Sequence, residues 1–497
     1  MTQLELAVAV PHRRGPLLGG GHPVSRREAA LVLALALAAA PLHAQAPLRG
    51  ADSALVGRIL LAEDRRDSSA TVLAEGMRHA DPRVQLLARR AWDRIRDSLF
   101  TTRDSFPQLA PPPVWPEPEW KPRYRALTPR ADCAAVRAGV TDSSWIVRLR
   151  AADVVPRTCA DDDSLDTILR RWVVALPPAG RPRRTGEITW HPAAHAILAL
   201  ARLRPAEAHA LIGALERHRT WQVRVYVARA AGVLQDSVRL RRLVSDPDDN
   251  VKEAAIEALR ALTGHADDQL YLGALRAHGA QAVRAAAIAL KGSPDPQVAP
   301  AALAAFHRWV RRDIASARDA RLALLEVAGR SATEDQPPRE KHTLPRGAIL
   351  LALGADVRLR VSMEGGASFV VRLRGDVAPI MAARILELAR HRYYDGLVWQ
   401  RVEPDFVIQG GGPGASEYVG AARFLRDELG TIPHPRGTVG MSTRGHDTGD
   451  AQWFVNLKDN PRLGRDYTVF GEIVEGMEIV DGIMEGDRIG SIREVRP

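Results

Sequence analysis

The sequence predicts a multidomain protein in which an N-terminal all-α solenoid precedes a C-terminal closed antiparallel β-barrel with two helices. Between residues 51 and 330, a phrase with apolar side chains at helical spacing recurs five times. From about residue 355 onward, apolar and polar residues alternate in short runs, which is typical of strands with one buried face. At 497 residues, the chain is also too long for a single core.

The recurring phrase places a polar turn before a valine, followed by alanine or leucine at helical spacing. The five valines are Val84, Val147, Val223, Val251 and Val283. One amphipathic helix cannot bury its apolar stripe alone, so these phrases predict stacked helix pairs. They resemble HEAT-type repeats in the short form of bacterial HEAT-like proteins, which implies a shape without a function. Two segments, 106–124 and 175–192, interrupt the pattern, and the first is too rich in proline to be helical.

Residues 1–46 predict a signal peptide. Arg26 and Arg27 precede twelve apolar residues, 29–40, and a small-residue cleavage site at 44–46. We therefore expect an exported protein of the periplasm or cell envelope, with no transmembrane anchor in the mature chain. A buried alanine-rich helix is the alternative reading. The sequence does not choose between general secretory and twin-arginine export, and it does not fix the true start codon.

The net charge of +10 is concentrated between the signal peptide and the barrel. The middle segment carries +11, whereas the residues from 356 onward carry −3. A protein partner of the basic solenoid would accordingly be acidic, although solvated helix faces are the favoured explanation of the charge. No aromatic-interleaved basic run or groove-reading motif is present, so we expect no nucleic-acid partner. Residues 331–350 are polar and contain proline, which predicts a linker.

A few polar residues in the helical region have spacings that suggest chemistry. Cys133 and Cys159 are the only cysteines, and they could pair in an exported protein or remain as two buried thiols. The acidic run 161–163 predicts a helix N-cap rather than a cation site. His191 and His195 have metal-like spacing, but a proline between them at a helix start argues against zinc. We predict no metal site.

Four phrases of the C-terminal part carry a specific resemblance. They are YYDGLVWQRVEPDFVIQGG, beginning at Tyr393, then GTVGMST, DAQWFVNL and YTVFGEIVEGMEIVDGI. Together and in this order they resemble the cyclophilin-type peptidyl-prolyl cis-trans isomerases, over residues 355–497. The resemblance implies catalysis of X-Pro bond rotation in proline-containing polypeptides. Because no covalent bond is broken, it implies neither a cofactor nor a metal.

The resemblance also implies the site residues. Arg401 would be the catalytic cation, and Gln409 would orient it and hold the substrate backbone. The substrate-binding residues would be Phe406, Met441, Thr443, Gln452, Phe454, Leu463 and Tyr467. Phe406, Met441 and Phe454 could alternatively be ordinary barrel core. Gln400 and Arg462 depart from the family pattern, which leaves cyclosporin sensitivity open.

The predicted function is isomerisation of X-Pro bonds in exported or envelope proteins, which assists their folding. The solenoid would bind the client or a partner protein. A non-catalytic binding scaffold or chaperone that works through the solenoid is the alternative, and a bilin lyase, which can also carry short HEAT-like repeats, is a remote third. The sequence identifies neither the clients nor the oligomeric state.

Overall fold

A computed structural model of the chain describes residues 50–97, 109–177, 186–312, 315–335, 343–421 and 423–496. The predicted signal peptide lies outside the described residues, as does part of the predicted linker, 336–342. From residue 53 onward the chain forms one compact unit, in which helices and sheet share an interface. Among the described helices, none combines the length and the apolar character needed to cross a membrane.

The part before the sheet is helical. Its helices are α1 (Gly50–Arg65), α2 (Thr71–Met77), α3 (Pro82–Arg96), α4 (Lys121–Ala126), α5 (Cys133–Val140), α6 (Trp145–Val154), α7 (Asp163–Val174), α8 (His191–Leu203), α9 (Pro205–Leu215), α10 (Trp221–Val233), α11 (Ser237–Leu243), α12 (Asp249–Thr263), α13 (Asp268–Ala274), α14 (Ala280–Ala289), α15 (Val298–Val310), α16 (Arg318–Val327) and α17 (Ala348–Ala352). Several of these helices begin after an N-cap aspartate whose side chain accepts a hydrogen bond from a backbone N–H group. These aspartates are Asp81, Asp132, Asp162, Asp236 and Asp248. These caps satisfy N–H groups that have no partner within the helix.

The helices from α7 to α16 stack in two layers. In one layer α8, α10, α12, α14 and α16 pack each on the next, and in the other α7, α9, α11, α13 and α15 pack on their chain neighbours. The five repeat valines lie at the start of their helices with at most 1% of their surface exposed. The predicted helical array is therefore confirmed as stacked pairs, whereas the HEAT-type likeness stays a prediction.

Cys133 and Cys159 form a disulfide. It joins the start of α5 to the turn before α7 across 26 residues. The acidic run next to this bridge caps a helix, as predicted: Asp162 accepts a hydrogen bond from the backbone N–H of Leu165 at 3.0 Å.

The C-terminal part is a curled, eight-stranded antiparallel sheet. Its strands are β1 (Arg358–Met363), β2 (Ser368–Leu373), β3 (Trp399–Val402), β4 (Val407–Gly410), β5 (Thr438–Met441), β6 (Trp453–Asn456), β7 (Val469–Glu475) and β8 (Ile489–Val495), in the order β3-β4-β6-β5-β7-β2-β1-β8. Hydrogen bonds from Gly396 N to Ile489 O (2.7 Å) and from Trp399 N to Asp487 O (2.9 Å) join the two outer strands. Helices α18 (Pro379–Arg390) and α19 (Met477–Asp481) complete the predicted architecture.

The proline-rich segment lies against the sheet rather than in the helical stack. Residues 109–118 form no helix, as predicted, but the prediction was wrong for residues 121–124, which begin α4 with a proline in its first turn. The Trp115 indole donates to the carbonyl oxygen of Ile473 at 3.2 Å. It also covers Gly437, where a Cβ atom would approach it to 2.6 Å. The segment therefore attaches the helices to the barrel.

A buried ionic cluster also fixes the first helices against the barrel. Glu63 of α1 pairs with both Arg90 and Arg94 of α3, and all three side chains are at most 3% exposed. Arg94 also donates to the carbonyl oxygens of Val377 and Leu429 in the barrel. A buried charge is tolerated only when it has partners, so these contacts fix the position of α1 and α3 on the barrel.

Candidate active site

Arg401 lies on β3 directly across from Gln409 on β4. Its Nε donates to Glu403 Oε1 at 2.7 Å, and its side chain is 37% exposed. The guanidinium carbon is 5.8 Å from the centroid of the Phe406 ring. A carboxylate attracts a guanidinium more strongly than an amide oxygen does, so Arg401 pairs with Glu403 where the resemblance implied Gln409.

An apolar wall faces Arg401. Val407, Phe454 and Leu463 form a buried cluster against which Phe406 and Tyr467 pack. The Tyr467 ring meets Phe454 edge-on, at 5.6 Å between centroids. Phe454 can lie flat over β5 because residue 440 is glycine: a Cβ atom there would come within 2.3 Å of its ring. Aromatic side chains in this arrangement make a rigid apolar surface.

The glutamines form a network beside the wall. Gln409 and Gln400 both donate to Gln452 Oε1, at 3.1 and 2.9 Å. The Gln452 amide in turn donates to the carbonyl oxygens of Ser416 and Val419. Gln452 thus holds the loop that follows β4, whereas the sequence predicted it as a substrate-binding residue.

A cavity of about 110 Å³ separates Arg401 from the apolar wall. Its lining comprises Arg401, Phe406, Val407, Gln409, Glu417, Ser442, Thr443, Arg444, Phe454, Leu463 and Tyr467. The structure therefore brings together seven of the predicted residues. Met441 and Gln452 do not line this cavity. Met441 is fully buried on β5, and Gln452 lines a second cavity together with Tyr418 and Val419.

Sequence reasoning missed several residues around the cavity. Glu403 pairs with Arg401, and Glu417, Ser442 and Arg444 contribute to the lining. The fully buried His434 stacks on Phe454, and burial lowers its pKa below the usual value. Only Glu403 had a sequence signal, since it lies two residues after Arg401 and shares its face of the strand.

The helical array supplies a wall next to the cavity. Tyr418, in the loop held by Gln452, lies between two guanidinium groups, at 4.2 Å from Arg284 of α14 and 3.9 Å from Arg444. Arg444 also pairs with Asp319 of α16 at 3.0 Å. The loop between β4 and β5 is therefore fixed by α14, which lies more than a hundred residues earlier in sequence, and Arg444 links the same ring to α16.

A groove of about 930 Å³ runs between helices α8, α10, α12 and α14 and the barrel. On the helical side it is lined by Leu198, Trp221, Val225, Arg229, Val233, Asn250, Glu253, Ala254, Glu257, Ala258, Ala261, Leu262 and Gln281, among others. On the barrel side, Gln400, Ala415, Glu417, Tyr418 and Glu485 face it. Glu417 lines both the groove and the cavity beside Arg401, so the two spaces adjoin.

The barrel matches a known family. The model for "Cyclophilin type peptidyl-prolyl cis-trans isomerase/CLD" matches residues 357–496. A peptidyl-prolyl cis-trans isomerase of Helicobacter pylori is 37% identical over 119 residues, which cover 23% of this chain and 73% of that protein. Peptidyl-prolyl cis-trans isomerase B of Bacillus subtilis is 33% identical over 133 residues, covering 26% and 93%.

A crystal structure of a Cryptosporidium parvum cyclophilin type peptidyl-prolyl cis-trans isomerase superposes on 29% of this chain and 99% of its own, with 21% identity and a TM-score of 0.28. The substantial coverage of the bacterial relatives, at more than 30% identity, establishes the relationship. The chain therefore belongs to the cyclophilin-type peptidyl-prolyl cis-trans isomerases.

Proposed function

We propose that Arg401 lowers the barrier to X-Pro rotation by donating to the amide as it twists. Rotation costs about 18–20 kcal/mol, because it destroys amide resonance and leaves a more basic prolyl nitrogen. A fixed guanidinium beside an apolar wall binds that twisted state better than the planar one. The Phe406, Phe454 and Leu463 side chains would seat the proline ring, and Tyr467 would contact the substrate at the rim.

The helical array, on this proposal, holds the client polypeptide while its proline turns. The observation that carries this role is the shared lining residue Glu417, which borders both the groove and the cavity beside Arg401. A polypeptide with a proline in the cavity can extend into the adjoining groove, since each extended residue spans about 3.3 Å. The apolar groove residues Trp221, Val225 and Leu262 would supply contact area.

Export to the periplasm or cell envelope belongs to the same proposal. The N-terminal arginine pair, apolar run and small-residue site support it. The disulfide between Cys133 and Cys159 also supports it, because disulfides persist in oxidising compartments. The clients would be unfolded or partly folded envelope proteins whose folding waits on prolyl isomerisation.

Client holding is tested by filling the groove. Ala261 of α12 is exposed and lines it, so Ala261→Trp adds bulk without disturbing a core. Two catalysed rates are compared: the proline-limited refolding of an unfolded protein and the isomerisation of a blocked tetrapeptide. We expect the change to lower the first rate relative to the second. Ala210→Trp, at an exposed site of the outer helix α9, is the matched control and should leave the ratio unchanged. An equal ratio in both variants would contradict the role of the groove.

A further inference from the structure

The groove between helices and barrel is unevenly charged, although the helical region as a whole is basic. Among its described lining residues, the carboxylates Glu253, Glu257, Glu417 and Glu485 face the guanidinium groups of Arg157 and Arg229. Carboxylates thus outnumber cations among the described residues that line this groove. The acidic partner expected from overall charge would not suit this groove.

Two of these carboxylates lie close enough to Glu253 to influence it. Glu253 feels the charges of both Glu257 and Glu417, the second of which comes from the barrel. Glu257 lies on α12 one turn after Glu253, so both side chains project from the same helix face. The carboxylates Glu253, Glu257 and Glu417 thus come from both the helices and the barrel, and Glu417 also lines the cavity of Arg401.

We propose that this groove is a specificity site, which binds the client segment flanking the proline and selects a lysine or arginine side chain there. The inference rests on the proposed client-holding function and adds the chemistry of the residue selected. An extended segment suits the groove because the lining combines apolar residues, such as Trp221 and Leu262, with the carboxylates. A basic side chain combines an aliphatic stem with a cationic head, so it satisfies both kinds of lining.

The electrostatic environment makes this selection depend on pH. Burial raises the pKa of Glu253 to about 7, and Glu257 and Glu417 act in the same direction, whereas Gln281 and Arg284 oppose it. The pKa of Glu257 is also raised, mainly by burial, with Arg284 and Arg229 opposing. Glu253 therefore gains negative charge as pH rises through neutrality, and the preference of the groove for a cation should strengthen accordingly.

The test compares peptides that differ only in one flanking residue. Each contains a single proline in about ten residues, with lysine or glutamate placed in turn at each position on either side. For the full-length protein at pH 8, we expect kcat/KM for the lysine peptide to exceed that for the glutamate peptide by about tenfold at one or more positions, as two desolvated ion pairs allow. At pH 6 the ratio should be smaller.

The decisive variant is Glu253→Gln with Glu257→Gln, which should bring the lysine-to-glutamate ratio close to one. Glu75→Gln, at an exposed ion pair with Arg58 in the first helices, is the matched control and should keep the wild-type ratio. Thermal unfolding checks that the double variant is folded, and Glu257→Gln alone replaces it if it is not. A wild-type ratio near one at every position, or an unchanged ratio in the variants, overturns the inference.

The outcome is distinguishable from failure of client holding itself. If Ala261→Trp lowers the refolding ratio but lysine and glutamate peptides react equally, the groove holds clients without reading charge. If Ala261→Trp has no effect either, the client-holding function fails as well.

Discussion

The Arg401 guanidinium on β3 pairs with the carboxylate of Glu403, the residue that directly follows β3, with 2.7 Å between Nε and Oε1. Both side chains are partly exposed, at 37% and 49%. Exposed pairs of this kind contribute roughly 0.2–1 kcal/mol. Glu403 thus orients the Arg401 guanidinium, yet the pair is weak enough for a substrate amide to compete for the remaining N–H groups.

Glu403→Gln should lower kcat/KM by less than about fivefold, because the lost orientation is worth no more than the pair itself. The glutamine keeps one acceptor oxygen but loses the charge. Tetrapeptide isomerisation in low and high salt would measure the effect, since salt already screens the wild-type pair. A loss of a hundredfold would mean that Glu403 does more than orient Arg401.

Tyr418→Ala should raise KM for a ten-residue proline peptide by about threefold to tenfold with little change in kcat. The ring separates Arg284 from Arg444, and cation–π contacts of this kind contribute roughly 0.5–2 kcal/mol each. Without it, the two guanidinium groups repel each other and the loop loses its contact with α14. Tyr418→Phe keeps the ring and is the control. The explanation is wrong if the two variants give the same KM.

Removing the disulfide with Cys133→Ser and Cys159→Ser should lower the free energy of unfolding by about 3 kcal/mol. The bridge closes a loop of 26 residues, and a loop of that size restricts the unfolded chain by about this amount. Urea unfolding of wild type and variant measures the difference. A reducing agent should reproduce it in the wild type alone; an equal response of the double variant would rule the disulfide out as its source.

Glu428 should make stability fall as pH rises from about 5 to 7. This buried carboxyl group accepts hydrogen bonds from the backbone of Ile380 and Met381, and burial raises its pKa from 4.5 to about 7. Between those values the unfolded chain releases a proton that the folded protein retains, so the free energy of unfolding decreases by on the order of 3 kcal/mol. Above pH 7 the effect is complete.

Glu428→Gln tests this pH dependence, because an amide resembles the protonated carboxyl group. The variant should lack the decline attributed to Glu428. The difference between the two pH profiles is the quantity to compare, since the buried His434 contributes equally to both and in the opposite direction. Parallel profiles would show that Glu428 does not titrate in this range.

Much of the fold could be predicted from local sequence. The five repeat valines are buried because helical periodicity determines which face of each helix is covered. Arg401 and Phe454 were expected because four local motifs resemble those of a known family. Such patterns depend on residues that are close together along the chain, so these features could be predicted from sequence.

What sequence could not predict depends on contacts between distant segments. In the sequence, Arg90 and Arg94 resemble solvated charges on a helix. In the structure both are buried, and both pair with Glu63. The contact of Tyr418 with Arg284 joins residues on separate parts of the fold, and no periodicity indicates it. The groove exists only because such contacts bring the helices over the active site.

The most direct test of the central claim is the effect of Arg401→Ala on isomerisation of a proline tetrapeptide by the full-length protein, with circular dichroism to verify folding. Removing one preorganised donor of this kind should lower kcat/KM by about 100- to 1,000-fold, and Arg401→Lys should restore only part of it because lysine lacks the planar set of donors. A rate for Arg401→Ala within twofold of wild type would contradict the claim that this guanidinium lowers the barrier to rotation.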